Sequence, residues 1–295
     1  GALDPDEPHA VFVGKAPTAP AAVPKRPPRR GTRATLPADP KPLWRRELEV
    51  GVDVAPAVTS DGGVVVALSS GEVLRLAPDG KEMWRRALAA AAPVTRPVVT
   101  SDGGVVVLTS EGALWRLTAG GAVSARRQLG WEDANDVVPP MARDDGSIVV
   151  AGASAAMILD GRGRVTARTA LKEPPTGHLL AWRGGVLWAS RSGAVTWWRS
   201  PQRPEVLGSL GSNVAFDALV AGPLFDGGPI LASDRTLVAI LSRSSVVAFD
   251  LLGRRSTLLY EVLRPSQLDG TPTLAGDRLL FTTMPGVLVG LDPLG

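Results

Sequence analysis

Two histidines, a scatter of aspartates and a few serines are what this chain offers to chemistry, because it contains no cysteine. The histidines, His9 and His178, are far apart, and without a thiolate they do not supply the three or four ligands of a zinc site. Asp144-Asp145-Gly146 has the outline of a calcium loop but lacks the spaced oxygen ligands and the later Glu of an EF-hand. It reads as a tight turn, and so do Asp61 and Asp102. Ser69-Ser70-Gly71 and Ser190-Arg191-Ser192-Gly193 form no Gly-x-Ser-x-Gly elbow, and no phosphate loop or dinucleotide fingerprint is present. Asp160, Asp250 and Asp292 recur at one spacing and read as turn caps rather than general bases. We therefore expect no catalytic residue, no metal and no cofactor.

Binding is the other chemistry to consider, and aromatic and arginine side chains carry it most often. Of the eight tryptophans, Trp44 and Trp84 belong to a repeated phrase, and Trp115, Trp188, Trp197 and Trp198 fall within apolar runs that should pack as strands. Trp131 and Trp182 fall near crossovers, where an aromatic could stand exposed to a partner, although core packing is the plainer reading. Phe216 and Phe225 lie in Arg203–Gly228, where the repeat is broken, and loops of that kind carry specialised contacts. Arg26, Arg29 and Arg30 sit in a basic cluster, Lys25–Arg33, able to touch acidic lipid or protein surfaces. These seven residues are the candidate partner-binding set.

The elements that must position them come from an internal repeat. The 25-residue block Pro56–Gly80 recurs at Pro97–Gly121, Pro139–Gly163, His178–Gln202, Pro229–Gly253 and Thr271–Gly295, read without gaps. Five residues into each block comes a turn such as Asp61-Gly62-Gly63, Asp102-Gly103-Gly104 or Arg183-Gly184-Gly185, whose Asp and Gly residues tolerate the positive φ of tight hairpins. A short apolar run follows, such as Val64-Val65-Val66, Val105-Val106-Val107 or Ile148-Val149-Val150. These runs are too short for helices and rich in β-branched residues, so they predict strands buried on both faces. A second turn, a second strand and a third turn complete the block, and the 14 to 26 residues between blocks leave room for an outer strand and a crossover. Four strands in about 40 residues is one propeller blade. The expected fold is all-β: a six-bladed β-propeller of four-stranded antiparallel blades.

The two ends complement each other. The sixth block stops at Gly295 before an outer strand, while Leu43-Trp44-Arg45-Arg46 precedes the first block and matches Met83-Trp84-Arg85-Arg86 of the first blade. The last blade is accordingly expected to be closed by the N-terminal strand, which hides an edge that would otherwise be open.

Composition bounds the rest. Residues 1–42 hold ten of the 26 prolines, with seven basic against four acidic side chains, and the remainder carries 25 of each sign. The first 42 residues read as a Pro-rich, basic, largely disordered linker or tether, and 43–295 as the propeller. The basic pI thus belongs to the tail, and the folded part lacks the net positive charge of a nucleic-acid binder. No apolar stretch approaches the roughly 18 residues of a membrane-spanning helix. Membrane association would then be peripheral, or through residues upstream of Gly1.

Gly71-Glu-Val-Leu-Arg-Leu-Ala-Pro-Asp-Gly-Lys-Glu-Met-Trp84 resembles the repeat of the PQQ-like (pyrroloquinoline quinone-like) β-propellers, with Leu159-Asp160, Phe249-Asp250 and Leu291-Asp292 at the Asp position and Trp44 and Trp84 at the Trp position. The departures are six blades where eight are usual, and Ala125, Ala167 and Thr257 in place of the outer-strand Trp. The resemblance implies either a quinone-dependent oxidoreductase or a non-enzymatic, BamB-like member. We expect the second: an extracytoplasmic, periplasmic or outer-membrane-associated scaffold, a monomeric propeller within a larger complex, with membrane-associated protein partners. A ligand-sensing ectodomain with a small molecule in its funnel is the alternative.

Overall fold

A computed structural model of the chain describes residues 43–88, 91–131, 137–210, 229–241, 244–262, 266–275, 278–284 and 286–291. The described residues form 23 strands and no helix. The first blade is β1 (Ala57–Val58), β2 (Val64–Ala67), β3 (Glu72–Leu76) and β4 (Glu82–Ala87), in that spatial order. The second is β5 (Val98–Val99), β6 (Val105–Leu108), β7 (Ala113–Leu117) and β8 (Val123–Gln128), and the third β9 (Met141–Ala142), β10 (Ile148–Ala151), β11 (Ala155–Leu159) and β12 (Val165–Ala170). The fourth is β13 (Pro175–Trp182), β14 (Gly185–Ser190), β15 (Ala194–Trp198) and β16 (Glu205–Ser209). The fifth is β17 (Ile230–Leu231), β18 (Thr236–Leu241), β19 (Ser245–Asp250) and β20 (Arg255–Glu261). The sixth shows three strands among the described residues, β21 (Gln267–Ala275), β22 (Arg278–Met284) and β23 (Val287–Leu291).

By Cα proximity the described residues divide into two compact units, a larger one within residues 43–190 together with Trp197–Glu205, and a second of Arg191–Thr196 with those within residues 206–291. In the larger unit, the apolar runs are buried because successive side chains of one strand point to opposite faces. Val65, Ala67 and Val73 of the first blade meet Val105, Val107, Ala113 and Trp115 of the second. The alternate residues of the second blade, Val106, Leu108 and Leu114, meet Ile148, Val150 and Met157 of the third. Val149, Ala151 and Ile158 then meet Val186, Trp188 and Trp198 of the fourth. In the second and third blades both faces of the middle strands are thus covered by a neighbouring blade, which is why the runs carry no polar alternation. Each fully buried Val or Leu contributes about 1.5–3 kcal/mol by leaving water. The outer strands β4 and β8 are exposed and carry the arginines.

In the second unit, Val238, Ile240 and Val246 of the fifth blade pack with Leu268, Leu279 and Phe281 of the sixth. Phe249 is fully buried and lies against Gly208, where an added Cβ would sit 2.9 Å from its ring.

The gapless repeat needs correction in three blades, the third, the fourth and the sixth, where Ala275 pairs with Arg278 and Thr273 with Leu280. Met141 faces Val149 as Ala57 faces Val65, so Pro140 rather than Pro139 stands in the place of Pro56. The register recovers because Ala151 and Ala156 pair across a four-residue turn, whereas Ala67 and Val73 span five. In the fourth blade Trp182 pairs with Gly185 across a two-residue turn in which Arg183 and Gly184 have φ of 45° and 70°. That is the twist-matched geometry of a tight hairpin, so Gly185 belongs to a strand and not to the turn.

Leu43–Val50 forms no strand of its own. It covers the first blade's open face, where Trp44, Leu48 and Val50 pack on Val66, Leu68, Leu74 and Leu76. Trp44 Nε1 donates to the Pro78 carbonyl at 2.8 Å, and Arg46 pairs with Glu82 at 2.5 Å. Trp84 makes the matching bond to the Ala119 carbonyl of the second blade, also 2.8 Å, and Arg86 donates to the Gly121 carbonyl. The N-terminal phrase therefore docks on the first blade as a true outer-strand phrase docks on the second. That it also supplies the sixth blade's fourth strand is a proposal, which its deletion tests.

Candidate functional site

The aspartates that opened the chemical question are turn and blade fasteners. Asp61 accepts from the Thr59 hydroxyl and the Gly63 amide, and also binds Arg75 at 2.7 Å. Arg75, one-tenth exposed, reaches on to the Ala119 carbonyl of the second blade at 3.0 Å. The second blade repeats the device: Asp102 accepts from Thr100, Gly104 and Arg116, and Arg116 continues to the Gly161 carbonyl of the third. In the third blade Asp145 accepts from Ser147, and Arg143 reaches the Gly184 carbonyl of the fourth at 3.0 Å. A guanidinium has donors enough to serve an acid and a carbonyl at once.

These bonds hold the carboxyls below their ordinary range. For Asp61 and Asp102 the first cause is the threonine hydroxyl and the second a glycine amide; for Asp145 it is the Ser147 hydroxyl. Asp160 is lowered first by the Arg164 amide. Asp250 falls to about 2, chiefly because the Arg235 guanidinium binds it through two nitrogens at 2.8 and 2.6 Å. A general acid or base works best with a pKa near the ambient pH, and these groups have been moved the other way. Asp160 and Asp250 cap their turns as expected, accepting from Arg162 and Arg164 and from Leu252. Asp292 lies outside the described residues. Among the described residues no group of three or more His, Asp or Glu is placed to hold a metal ion.

The binding candidates part company. Trp182 is 6% exposed. Trp197 meets it edge-on at 5.3 Å and 75° while donating Nε1 to its carbonyl at 3.1 Å, and Arg183 covers the ring. Of the two readings of Trp182 the structure takes the plainer, core packing: β13 turns its ring inward, where an aromatic edge contact and apolar burial hold it. Trp131 is half-buried against the core shared by the second and third blades, and an added Cβ on Gly152 would stand 3.1 Å from its ring. Its indole nitrogen is buried without a hydrogen-bond partner among the described residues. Phe216, Phe225, Arg26, Arg29 and Arg30 lie outside the described residues. Trp115, Trp188 and Trp198 are core residues, as their strand positions predicted.

A cavity missed by motif reading lies on the inner strands. Within the larger unit, β1, β5, β9 and β13 neighbour one another in sequence around the axis, and their exposed faces line a cavity of about 490 Å³. Its walls are mostly proline and small apolar side chains, including Pro56, Val58, Val98 and Met141; its charged or titratable members are Arg96 and His178. His178 sits where β13 slips register against β14, between Thr176 and Leu180, next to Gly177 at φ 76°. The signal available in the sequence was a departure from the repeat. The residue before the proline that precedes the inner strand is Ala55 in the first blade and Arg96 in the second.

Six antiparallel sheets, inter-blade cores and a repeated Trp-to-turn bond define a PQQ-like β-propeller. Within that class, the chain belongs to the family of outer membrane protein assembly factor BamB, whose model matches residues 33–293. Among solved structures it is similar to BamB from Moraxella catarrhalis, with a TM-score of 0.65 and 18% identity over 86% of this chain and 74% of that one. It is also similar to virginiamycin B lyase from Staphylococcus aureus (TM-score 0.58, 13% identity, 80% and 83% covered). The C-terminal WD40 domain of Sif2 gives a TM-score of 0.60 at 16% identity, with 81% and 66% covered. At such identities the likeness is one of fold. No curated protein matches the chain by sequence.

Proposed function

We propose that this chain is a non-catalytic, extracytoplasmic propeller that acts as a protein–protein interaction scaffold in a bacterial envelope assembly, periplasmic and associated with the outer membrane. The observation that carries the reading is the BamB family match across residues 33–293. The fate of the chemistry-bearing side chains supports it: the aspartates fasten turns and blades, with carboxyl pKa values lowered away from catalytic use. Packed blades with variable connecting loops suit the presentation of contacts to a partner. Among the described residues no helix is long and apolar enough to cross a membrane.

Cross-linking of the full-length chain in its native envelope, followed by mass spectrometry, tests this. Membrane-associated assembly proteins cross-linked to residues 203–228 and to residues 1–42 are the expected result. Cross-links confined to cytoplasmic proteins, or turnover of a substrate by the purified chain, would overturn the reading.

A further inference from the structure

The inner-strand cavity has the size of a ligand site, and its lining side chains are mostly apolar, although polar atoms make up the larger part of its exposed surface. Small-molecule sites of about 300–1,000 Å³ are mostly apolar, with a few placed polar groups, and this one measures about 490 Å³. Its apolar wall is not buried by protein: Val58 is 71% exposed, and the equivalent Val98 and Val99 are half-exposed. Arg96 stands exposed at this wall and has no ion-pair partner among the described residues. Among the described residues no aspartate or glutamate lines the cavity. An unpaired guanidinium beside an apolar wall selects an anion carried on an apolar body, because it offers a forked set of donors to a carboxylate or sulfonate.

A second observation converges on the same place. The strand opposite departs from the repeat there, with a bulge over Gly177–Leu179 that sets His178 at the cavity wall. Bulges re-aim side chains and gather beside functional sites. The Arg75 and Arg116 fasteners lie elsewhere in their blades, on the third strands, where they bind Asp61 and Asp102.

We infer that the inner-strand cavity binds a small amphipathic monoanion, whose charged group is held by Arg96 and whose apolar body lies on the wall formed by Val58, Val98 and Met141. This site is independent of the scaffold reading and would stand or fall without it.

Titration of the full chain with 1-anilinonaphthalene-8-sulfonate, one sulfonate on an aromatic body, tests the inference. N-phenyl-1-naphthylamine, the same body without the charge, is the comparison. The expected result is one sulfonate probe bound per chain, displaced by octanoate and not by octanol. Arg96→Gln should weaken the sulfonate probe about tenfold, the usual scale for losing one charge-assisted hydrogen bond, and change the neutral probe less than twofold. Val58→Asp, at an already exposed position, should weaken the sulfonate probe similarly with an unchanged circular dichroism spectrum. Equal affinity in wild type and Arg96→Gln, binding at several sites, or no binding would each overturn the proposal.

Discussion

Gly121 turns the docking of one blade on the next into a measurable quantity. Its φ is +82°, and a Cβ built on it would lie 2.6 Å from a ring carbon of Trp84. Gly146 has a similar φ of +77° with nothing within 4 Å of its Cβ position. Alanine at Gly146 therefore incurs only the left-handed backbone penalty, about 1–2 kcal/mol. Alanine at Gly121 incurs that penalty and must also displace the indole, since carbon contacts settle at about 3.5–4 Å. Displacing the ring gives up its bond to the Ala119 carbonyl, worth about 1 kcal/mol, and its half-buried apolar contact, worth about 1–2 kcal/mol. The excess of Gly121→Ala over Gly146→Ala should thus be about 2–3 kcal/mol. In a domain of this size that excess lowers the melting temperature by roughly 5–10 °C. Urea unfolding followed by far-ultraviolet circular dichroism measures both variants free of the Trp84 fluorescence change. If the two alanines cost the same within about half a kcal/mol, the Trp-to-turn contact is not what joins the first and second blades.

Two further outcomes follow from the same geometry. Asp250 has a folded pKa of about 2, below its ordinary value of 3.8. A carboxyl depressed on folding stabilises above its unfolded pKa and loses that stabilisation as pH falls through the folded one. Asp250→Asn should therefore cost about 1 kcal/mol at pH 6, after allowance for solvent screening. The difference from wild type should narrow between pH 4 and pH 2; a difference that is constant with pH would refute the assignment. Deleting residues 43–49 removes the Trp44 bond, the Arg46–Glu82 pair and the apolar cover on Leu68 and Leu74. It should cost about 3 kcal/mol from these contacts, and more if the segment also completes the sixth blade. An unchanged melting temperature would sink closure by the N-terminus.

The blade plan was legible in the sequence because it rests on local physics. Asp-Gly-Gly and similar turns admit positive φ, and the Val-rich runs between them can only be strands. The Trp44 phrase could be matched to Trp84 for the same reason: one blade's solution to docking is reused by the next. Register was less visible. A turn shortened by one residue in the third blade leaves the hydrophobic pattern almost unaltered, so the shift of Pro139 to Pro140 shows only in the pairing of Met141 with Val149.

Sequence by itself determined the all-β class, the number of blades and the turn role of the aspartates, since each depends on residues within one repeat. Tertiary structure alone decided which side chains meet across repeats. It buried Trp182 against Trp197, carried Arg75 and Arg116 from their own blade's aspartate to the next blade's carbonyl, and brought Arg96 and His178 to one cavity wall. Those meetings join residues up to about 80 positions apart, and their distances are set by how twisted sheets stack around an axis, which no local pattern encodes.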